Sequence, residues 1–414
     1  MDAALRAGTV DKLKAEMARH QPGFSLAAPF YTDPDLFELE LERVVYRNWI
    51  LAGHISEFPR AGDFKTVAVA RESALIVRGE DNELRAFANV CRHRGSRVCL
   101  ESGGSARSFA CPYHGWTYNL EGQLTAAREM PQSFERSKYP LASLPLEVVH
   151  GLVFVAFGPA PPLAAARRDL ARPMRWFGFE SMKVAAARSY VIAANWKLAI
   201  ENYQECYHCA TAHPDYATRH TLMLGRKRRQ RVQAPMLGRL GESGLEPLEI
   251  DRIDTRAPPG ETGYAYSRTA LFEGYLTGSR DGQPLAPPLG ELDGFDGGAS
   301  DFSFGGFSFL LAYSDHVVAY VFTPVAHDSS LLSTYWLVRD DAVEGRDYDV
   351  EALTWLWHKT TLEDLDIIQN NWRGVQSLHY RPGPLSTMES AQRAYIDWLL
   401  GELLEPDLRE NDPA

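Results

Sequence analysis

Short apolar runs separated by polar turns make up the chain from about residue 45 onward. The runs FKTVAVA, SALIVRG, LRAFANV and GLVFVAF have strand length, and each is followed by a polar or glycine-rich stretch. This pattern predicts a small antiparallel β domain over residues 45–160. The Pro/Ala-rich stretch at 158–173 then marks a domain boundary.

The pattern changes after this connector. The segment SYVIAANWKLAIENYQECYHC runs from a strand into a helix, and further strands are predicted at 302–324 and 330–338, with a helical tail over about 350–404. A polar Gly/Pro-rich stretch at about 234–300 is predicted to be loop-rich, as a lid or a mobile surface segment. The predicted parts are therefore an N-terminal helical segment (1–44), the β domain (45–160) and a second domain (170–414).

Composition narrows the class of protein. The 414 residues carry a formal net charge of −11, which argues against nucleic acid as a partner because a phosphate backbone needs a basic surface. Apolar runs stay at strand length and the first 21 residues are charged, so we expect neither a membrane span nor a secretory signal. Five cysteines do not resemble a disulfide framework, which favours a cytoplasmic location.

Two Cys/His pairs stand out within the predicted β domain. Cys91 and His93 form a Cys-x-His pair, and Cys111 and His114 form a Cys-x-x-His pair. Zinc also accepts two cysteines and two histidines, but its usual motifs pair Cys with Cys and His with His. Loops that each mix one thiolate with one imidazole suit a [2Fe–2S] cluster of the Rieske type, with both cysteines on one iron and both histidines on the other.

A second group of candidate ligands lies in NWKLAIENYQECYHCATAHP (195–214). Continuous helix would place Glu201, Glu205 and His208 on one face. Pro214 disfavours helix at His213, so the chain should bend there and return His213 toward His208. Two imidazoles and one carboxylate form the facial triad of non-haem Fe(II) oxygenases. The alternative is a buried helix with incidental histidines.

The carboxylate of this triad is sought in TTLEDLDIIQNNWRG (360–374). Asp364 lies three and four residues before Ile367 and Ile368, which places it on the packed side of a helix. An inward carboxylate is costly unless it is paired or bound to a metal. Asp364 is therefore the predicted third ligand, with Glu363 as the alternative, and Asp366 is expected to face solvent.

The motifs together resemble the large (alpha) subunit of Rieske non-haem iron oxygenases. CRHRG…CPYHGWTYNLEGQL matches the cluster segment, NWK…ENYQECYHCATAHP matches the iron segment, and the resemblance covers about residues 20–404. It implies an α+β fold in which the Rieske antiparallel β domain precedes a helix-grip catalytic domain, a curved antiparallel sheet around a long helix, with residues 1–44 packed on that domain. It also implies a homotrimer. The late helix departs from the usual pattern at Gln369 and Trp372.

The resemblance also implies roles for individual residues. Glu205 would bridge His208 to the cluster ligand His114 of a neighbouring subunit and so carry electrons between the two metal sites. Asn202 and Tyr203, just before it, are further candidate catalytic residues. The cofactors would be a Rieske [2Fe–2S] cluster and one mononuclear Fe(II), and NAD(P)H would act indirectly, through a separate flavin/iron–sulfur reductase.

The residue at the bridging position suggests a substrate. Ring dioxygenases typically carry Asp there, whereas Glu205 resembles the branch that oxidises glycine betaine, choline, carnitine and stachydrine. This branch uses O2 to hydroxylate an N-methyl group of a cationic or betaine substrate, which gives formaldehyde and a demethylated amine. Period-two alternation in FSFGGFSFLLAYSD places aromatic rings on one strand face, and with Tyr203 they are candidate contacts for a methylammonium group: Phe307, Phe309 and Tyr313.

An aromatic strand face is more often protein core than a ligand site, so these rings only support the substrate assignment. Three interpretations of the function remain open from the sequence, and the N-demethylase is the first. An aromatic-ring dioxygenase that forms a cis-diol is the main alternative to an N-demethylase. A Rieske electron carrier is the third, and iron content separates it from both, since a carrier holds two irons per chain and an oxygenase three.

Overall fold

The structure is a computed structural model that describes residues 3–242 and 260–409. The stretch 243–259, inside the segment predicted to be a lid or mobile loop, lies outside the described residues. The α-helices are α1 (Ala3–Arg19), α2 (Ala28–Thr32), α3 (Pro34–Arg43), α4 (Ala164–Asp169), α5 (Ala171–Trp176), α6 (Trp196–Tyr203), α7 (Cys209–Ala212), α8 (Pro214–Ala217), α9 (Arg226–Glu242), α10 (Val350–Val375) and α11 (Ser390–Arg409).

The strands fall into two groups along the chain. The first group is β1 (Ile50–His54), β2 (Asp63–Val69), β3 (Glu72–Arg78), β4 (Leu84–Ala88), β5 (Gly103–Ser105), β6 (Phe109–Ala110), β7 (Thr117–Tyr118), β8 (Leu124–Ala126), β9 (Ser143–Leu144), β10 (Leu146–Val149) and β11 (Leu152–Val155). The second group is β12 (Met182–Ile192), β13 (Tyr264–Ala270), β14 (Gly298–Phe304), β15 (Ser308–Ala312), β16 (Val317–Ala326) and β17 (Ser329–Arg339).

Strands β1–β11 form three small antiparallel sheets. Their orders are β5-β2-β3-β4-β9, β1-β11-β10 and β6-β7-β8. Alternating apolar residues such as Leu75 and Val77 of β3 meet Phe87 of β4 in one buried cluster. Cys91 and Cys111 belong to the same cluster, so both cysteine loops are anchored in the core of this part of the chain.

Strands β12–β17 form one antiparallel sheet in the order β12-β17-β16-β15-β14-β13. Directly opposed residues of antiparallel strands share a face, and the register Asp301–Leu311–Val318–Trp336 runs across four strands. We call the face that carries these four residues the inner face. Tyr320 also lies on it, since it is two residues from Val318.

Two helices cover the inner face. The ring of Tyr203, the last residue of α6, lies 5.1 Å from the ring of Tyr320. The ring of Trp357, on α10, lies 5.7 Å from the same tyrosine. The predicted arrangement of an antiparallel sheet around a long helix is therefore confirmed, and it places α6 and α10 side by side over the sheet.

The 26-residue helix α10 begins at a defined cap. The Asp349 carboxylate accepts the backbone N–H of Ala352 at 2.8 Å, which satisfies one of the free donors at the helix start. Leu353, Leu356 and Ile368 are buried along one stripe. This packing fixes the helix rotation, which in turn decides where the carboxylates in its middle point.

Buried hydrogen bonds join the N-terminal helices α2 and α3 to α6, which covers the second sheet. The Tyr31 hydroxyl of α2 donates to Glu201 of α6 at 3.0 Å, and Lys197 of α6 donates to Glu40 of α3 at 2.5 Å. Burial raises the pKa of Glu201 to about 7, against the opposing effect of the Tyr31 hydrogen bond. Buried charges are tolerated only when paired in this way.

Three local expectations were wrong. Helix α6 ends at Tyr203, because the Glu205 carboxylate instead accepts the backbone N–H groups of Tyr207 and His208 and starts a new turn. Glu201 therefore does not share a helix face with Glu205. The strand predicted at 302–324 is broken by a turn at Gly305 and Gly306, whose φ angles of +60° and +75° suit glycine.

The third miss is strand β13. It lies within the stretch predicted to be loop-rich, and it pairs along its full length with β14. Within the described residues, none of the helices combines the length and apolar composition that a membrane span requires.

Candidate metal centres

Two loops of the same shape carry the first pair of motifs. In each, the cysteine N–H of Cys91 or Cys111 donates to the carbonyl oxygen five residues later at 2.8 Å. The glycine four residues later, Gly95 or Gly115, donates back to the cysteine carbonyl at 3.0 and 2.9 Å. Both glycines have positive φ, +77° and +72°, so each loop closes on a turn that other residues adopt at a cost.

The two loops separate thiols from imidazoles. The Cys91 and Cys111 residues are only 4% and 3% exposed, whereas His93 and His114 lie at the surface. The two imidazoles converge, with 3.2 Å between their Nδ1 atoms. The Tyr118 hydroxyl lies 3.5 Å from the Cys91 sulfur. A group held here would have a buried sulfur-ligated end and an exposed nitrogen-ligated end.

Aromatic contacts and electrostatics prepare the imidazoles for metal binding. His93 stacks on Trp116 at 4.8 Å, and His114 stacks on Tyr113 at 3.9 Å. Desolvation, followed by the nearby His93 and Arg94, lowers the pKa of His114 below its ordinary value. A neutral imidazole is the form that coordinates a metal. The donor set of two buried thiols and two converging imidazoles thus fits a Rieske [2Fe–2S] cluster.

The second group of ligands comes from three elements. His208 precedes α7, His213 sits between α7 and α8, and Asp364 is in the middle of α10. The Nε2 atoms of the two histidines are 3.1 Å apart. The Asp364 Oδ1 atom lies 2.9 Å from His213 Nε2 and 3.4 Å from His208 Nε2. The bend expected at Pro214 does bring His213 back toward His208.

A carboxylate lies within hydrogen-bonding distance of the Nδ1 atom of each imidazole. Glu205 Oε1 lies 2.5 Å from Nδ1 of His208, and Glu363 Oε2 lies 2.9 Å from Nδ1 of His213. Such carboxylates fix the ring orientation and leave Nε2 free for a metal. Glu363, the alternative third ligand, is thus placed behind His213, while Asp364 is the carboxylate on the Nε2 side.

The electrostatics of this site favour a divalent cation. Burial disfavours the charged form of His208, but the Asp364 and Glu205 carboxylates outweigh it and raise its pKa to about 9. Burial likewise opposes ionisation of Asp364, but the two imidazoles lower its pKa below the ordinary value. Two imidazoles, one carboxylate and net negative surroundings are the donor set of a mononuclear non-haem iron site.

Two of the other predicted residues lie close to this site or on the inner face. Asn202 Nδ2 lies 3.5 Å from His208 Nε2, a distance too long for a strong hydrogen bond. Tyr203 packs against Phe309 of the inner face, with 4.7 Å between the ring centroids.

Phe307 and Tyr313 lie one residue beyond the two ends of β15. Both contact helices that cover the inner face, as Phe309 does. Phe307 stacks on Trp196 at 5.3 Å. The Tyr313 hydroxyl accepts from the indole of Trp357 at 3.1 Å, and His220 lies 2.7 Å away from it.

The sequence analysis missed two features next to these residues. A disulfide joins Cys206 and Cys209 on either side of His208, although the cysteine count did not suggest one. Asp301 of β14 lies on the inner face, and its signal in the sequence was a lone carboxylate among the apolar residues of GASDFSF.

Comparison with protein families assigns both halves of the chain. Residues 48–145 match the Rieske [2Fe-2S] domain, and residues 179–403 match the ring hydroxylating alpha subunit (catalytic domain). The chain belongs to the Rieske non-haem iron oxygenases. Its cofactors are a Rieske cluster and a mononuclear iron, and the fold predicted from the resemblance is confirmed.

Full-length relatives of this Rieske oxygenase are also known. It is 32% identical over 402 residues to the glycine betaine monooxygenase oxygenase subunit of Pseudomonas aeruginosa, covering 95% of this chain and 92% of that one. A protein of the same name from Chromohalobacter salexigens is 33% identical, covering 97% and 90%. The carnitine monooxygenase oxygenase subunit of Escherichia coli is 37% identical over 48% of this chain and 55% of its own length.

Solved structures share the fold. A quaternary ammonium Rieske monooxygenase in complex with L-carnitine superposes with a TM-score of 0.68 at 22% identity, covering 92% of this chain and 96% of that one. Naphthalene 1,2-dioxygenase from Rhodococcus, bound to indole, has a TM-score of 0.64 at 20% identity, covering 97% and 99%. Both oxygenase types therefore use this architecture.

Proposed function

We propose that this Rieske oxygenase hydroxylates an N-methyl group of a quaternary ammonium or betaine substrate. The observation that carries the proposal is the similarity to two glycine betaine monooxygenase oxygenase subunits over at least 95% of this chain. The glutamate at position 205, hydrogen-bonded to His208, supports it, because aromatic-ring dioxygenases typically have aspartate at that position.

The proposed reaction balances as an N-demethylation. One O2, two electrons and two protons convert an N–CH3 group into N–CH2OH and water. The N–C bond of the hydroxymethyl group then breaks with loss of a proton from the hydroxyl, which releases formaldehyde and leaves the electron pair on nitrogen. The products are formaldehyde and an amine with one methyl group fewer.

Two groups of residues would hold the two metal centres that this reaction requires. Cys91 and Cys111 would hold one iron of the cluster, with His93 and His114 on the other. His208, His213 and Asp364 would hold the mononuclear iron. Bound there, the iron supplies O2 activation. Glu363 keeps His213 oriented through its Nδ1 atom.

Electron supply is proposed to involve other chains. The imidazole end of the cluster site is exposed on this chain, which suits contact with a neighbouring subunit and with a reductase. In a homotrimer, Glu205 would accept a hydrogen bond from His114 of the partner subunit while it keeps its hydrogen bond with His208 Nδ1. A separate flavin/iron–sulfur reductase would supply electrons from NAD(P)H, and we place the complex in the cytoplasm.

A single-turnover experiment tests the proposed function without the reductase. Iron-loaded protein is reduced chemically, mixed with O2 and offered glycine betaine, choline, carnitine, stachydrine and aromatic acids in turn. We expect formaldehyde and a product that is 14 mass units lighter than one of the ammonium substrates. A cis-diol from an aromatic acid without formaldehyde would instead establish a ring dioxygenase. Asp364→Ala is the control, because it should abolish both products.

A further inference from the structure

Asp301 is a carboxylate on the inner face without a side-chain partner among the residues that the structure describes. It lies in the middle of β14, opposite Leu311 of β15 and Ser267 of β13. Its neighbour Phe302 points to the other face, where it packs against Phe179 with 5.5 Å between ring centroids. The side chain of Asp301 therefore projects toward the same side of the sheet as α6 and α10.

The other buried carboxylates of this region are all paired. Asp296 forms an ion pair with Arg268 at 2.5 Å, and Asp315 accepts from Thr277 at 2.7 Å. Among residues 3–242 and 260–409, the Asp301 carboxylate makes no side-chain hydrogen bond or ion pair. A buried carboxylate without a partner costs several kcal/mol unless a ligand satisfies it.

Asp301 is desolvated but not fully enclosed. Burial alone raises its pKa to about 7. The residue nevertheless keeps accessible surface, unlike its strand neighbours Ser300 and Phe302, which are 0% and 2% exposed. Its carboxylate therefore remains open to a ligand.

Two tyrosines lie on the same side of the sheet as Asp301. Tyr203 packs on Phe309 of the inner face with 4.7 Å between the ring centroids, and the Tyr216 ring is 6.4 Å from the ring of His213. The Asp301 charge raises the pKa of both tyrosines, after the larger effect of burial. Asp301 therefore faces the side of the sheet on which these tyrosines and the predicted iron ligands lie.

We infer that Asp301 is the counter-ion that binds the ammonium group of the substrate, with the phenol faces of Tyr203 and Tyr216 beside it. A quaternary ammonium has no N–H to donate, so an anion and aromatic faces are the groups that recognise it. This inference rests on the proposed function and assigns it a specificity-determining residue. It also explains a carboxylate that lacks a partner within the described part of the chain, on a strand without other charged residues.

The test compares ligands that differ only in charge. Glycine betaine is paired with its carbon isostere 3,3-dimethylbutanoate, and choline with 3,3-dimethylbutan-1-ol. Calorimetric dissociation constants are measured for the iron-loaded wild type, Asp301→Asn and Asp301→Glu. Asp293→Asn is the matched control, because Asp293 is exposed and lies eight residues earlier. Iron content and the cluster spectrum are recorded for each variant.

The charge preference is the informative quantity. We expect Asp301→Asn to weaken binding of the charged ligand about 10- to 100-fold relative to its isostere, as expected for loss of a desolvated charge pair. Asp301→Glu should keep part of the preference, so it serves if the Asn variant does not fold. An unchanged preference in Asp301→Asn, with tight binding of the charged ligand, would overturn the inference and leave the proposed function intact. If the wild type neither binds nor demethylates any quaternary ammonium compound, the proposed function fails and this inference with it.

Discussion

Replacing Glu205 with Gln separates its structural role from its proposed role in electron transfer. The Glu205 carboxylate accepts from His208 Nδ1 at 2.5 Å and from the His208 backbone N–H at 3.3 Å. A glutamine carbonyl oxygen can accept the same bonds but carries no charge. We therefore expect Glu205→Gln to keep both metal centres and to lose steady-state turnover with the reductase.

The size of the effect on iron binding follows from these bonds. A hydrogen bond to a charged acceptor is about twice as strong as a neutral one, so the change weakens the His208 contact by about 1 kcal/mol. That lowers iron affinity by less than about tenfold, which an excess of Fe(II) overcomes. Turnover should fall at least about 100-fold, because the proposed bridge between subunits would lose its charged carboxylate.

The assay combines three measurements on the same sample. Iron per chain is measured by elemental analysis, cluster reduction by electron paramagnetic resonance, and formaldehyde by steady-state turnover. Glu363→Gln is the matched control, since Glu363 has the same relation to His213 at 2.9 Å but does not lie on the proposed path. Normal turnover in Glu205→Gln, or an equal loss in both variants, would refute the role of Glu205.

Two further predictions concern the iron site and stability. Asp364→Ala should lower the iron content from about three to about two per chain and leave the cluster spectrum unchanged, because Asp364 lies against His208 and His213 and is not one of the four cluster residues. An iron content that stays at about three would show that Asp364 is not a ligand. Burial raises the pKa of Glu201 from 4.5 to about 7, so between these pH values the folded state holds a proton that the unfolded state has lost. The free energy of unfolding should therefore fall as pH rises from about 4.5 to 7, by up to roughly 3 kcal/mol. Glu201→Gln should remove this loss, and urea unfolding at pH 5 and pH 8 checks it, with an unchanged pH dependence as the contrary result.

The ligand residues could be predicted because most of them lie in short motifs with a characteristic spacing. Cys91, His93, Cys111 and His114 fall within two loops, each closed by its own hydrogen bonds. The position of His213 followed from one local rule, the effect of Pro214 on the residue before it. Such features depend on few residues, so sequence alone carries them.

Other features depend on which of several competing hydrogen bonds or strand pairings forms, and the sequence alone does not decide this. Helical periodicity continued through Glu205, but that carboxylate caps a new turn and ends α6 at Tyr203. The predicted strand through Gly305 is likewise broken by a local turn, in which Gly305 and Gly306 have positive φ. The face occupied by Asp301 follows from the pairing register of β14 with β15, which is set by the whole sheet.

The most direct test of the account follows the atoms of the methyl group. The ammonium substrate identified by single turnover is prepared with deuterated N-methyl groups and oxidised by the wild type under 18O2. The account predicts dideuterated formaldehyde, trapped at once as a stable adduct, that contains 18O and appears together with the demethylated amine. Release of the amine without labelled formaldehyde, or an oxygenated product that keeps all its methyl groups, would contradict N-demethylation by this oxygenase.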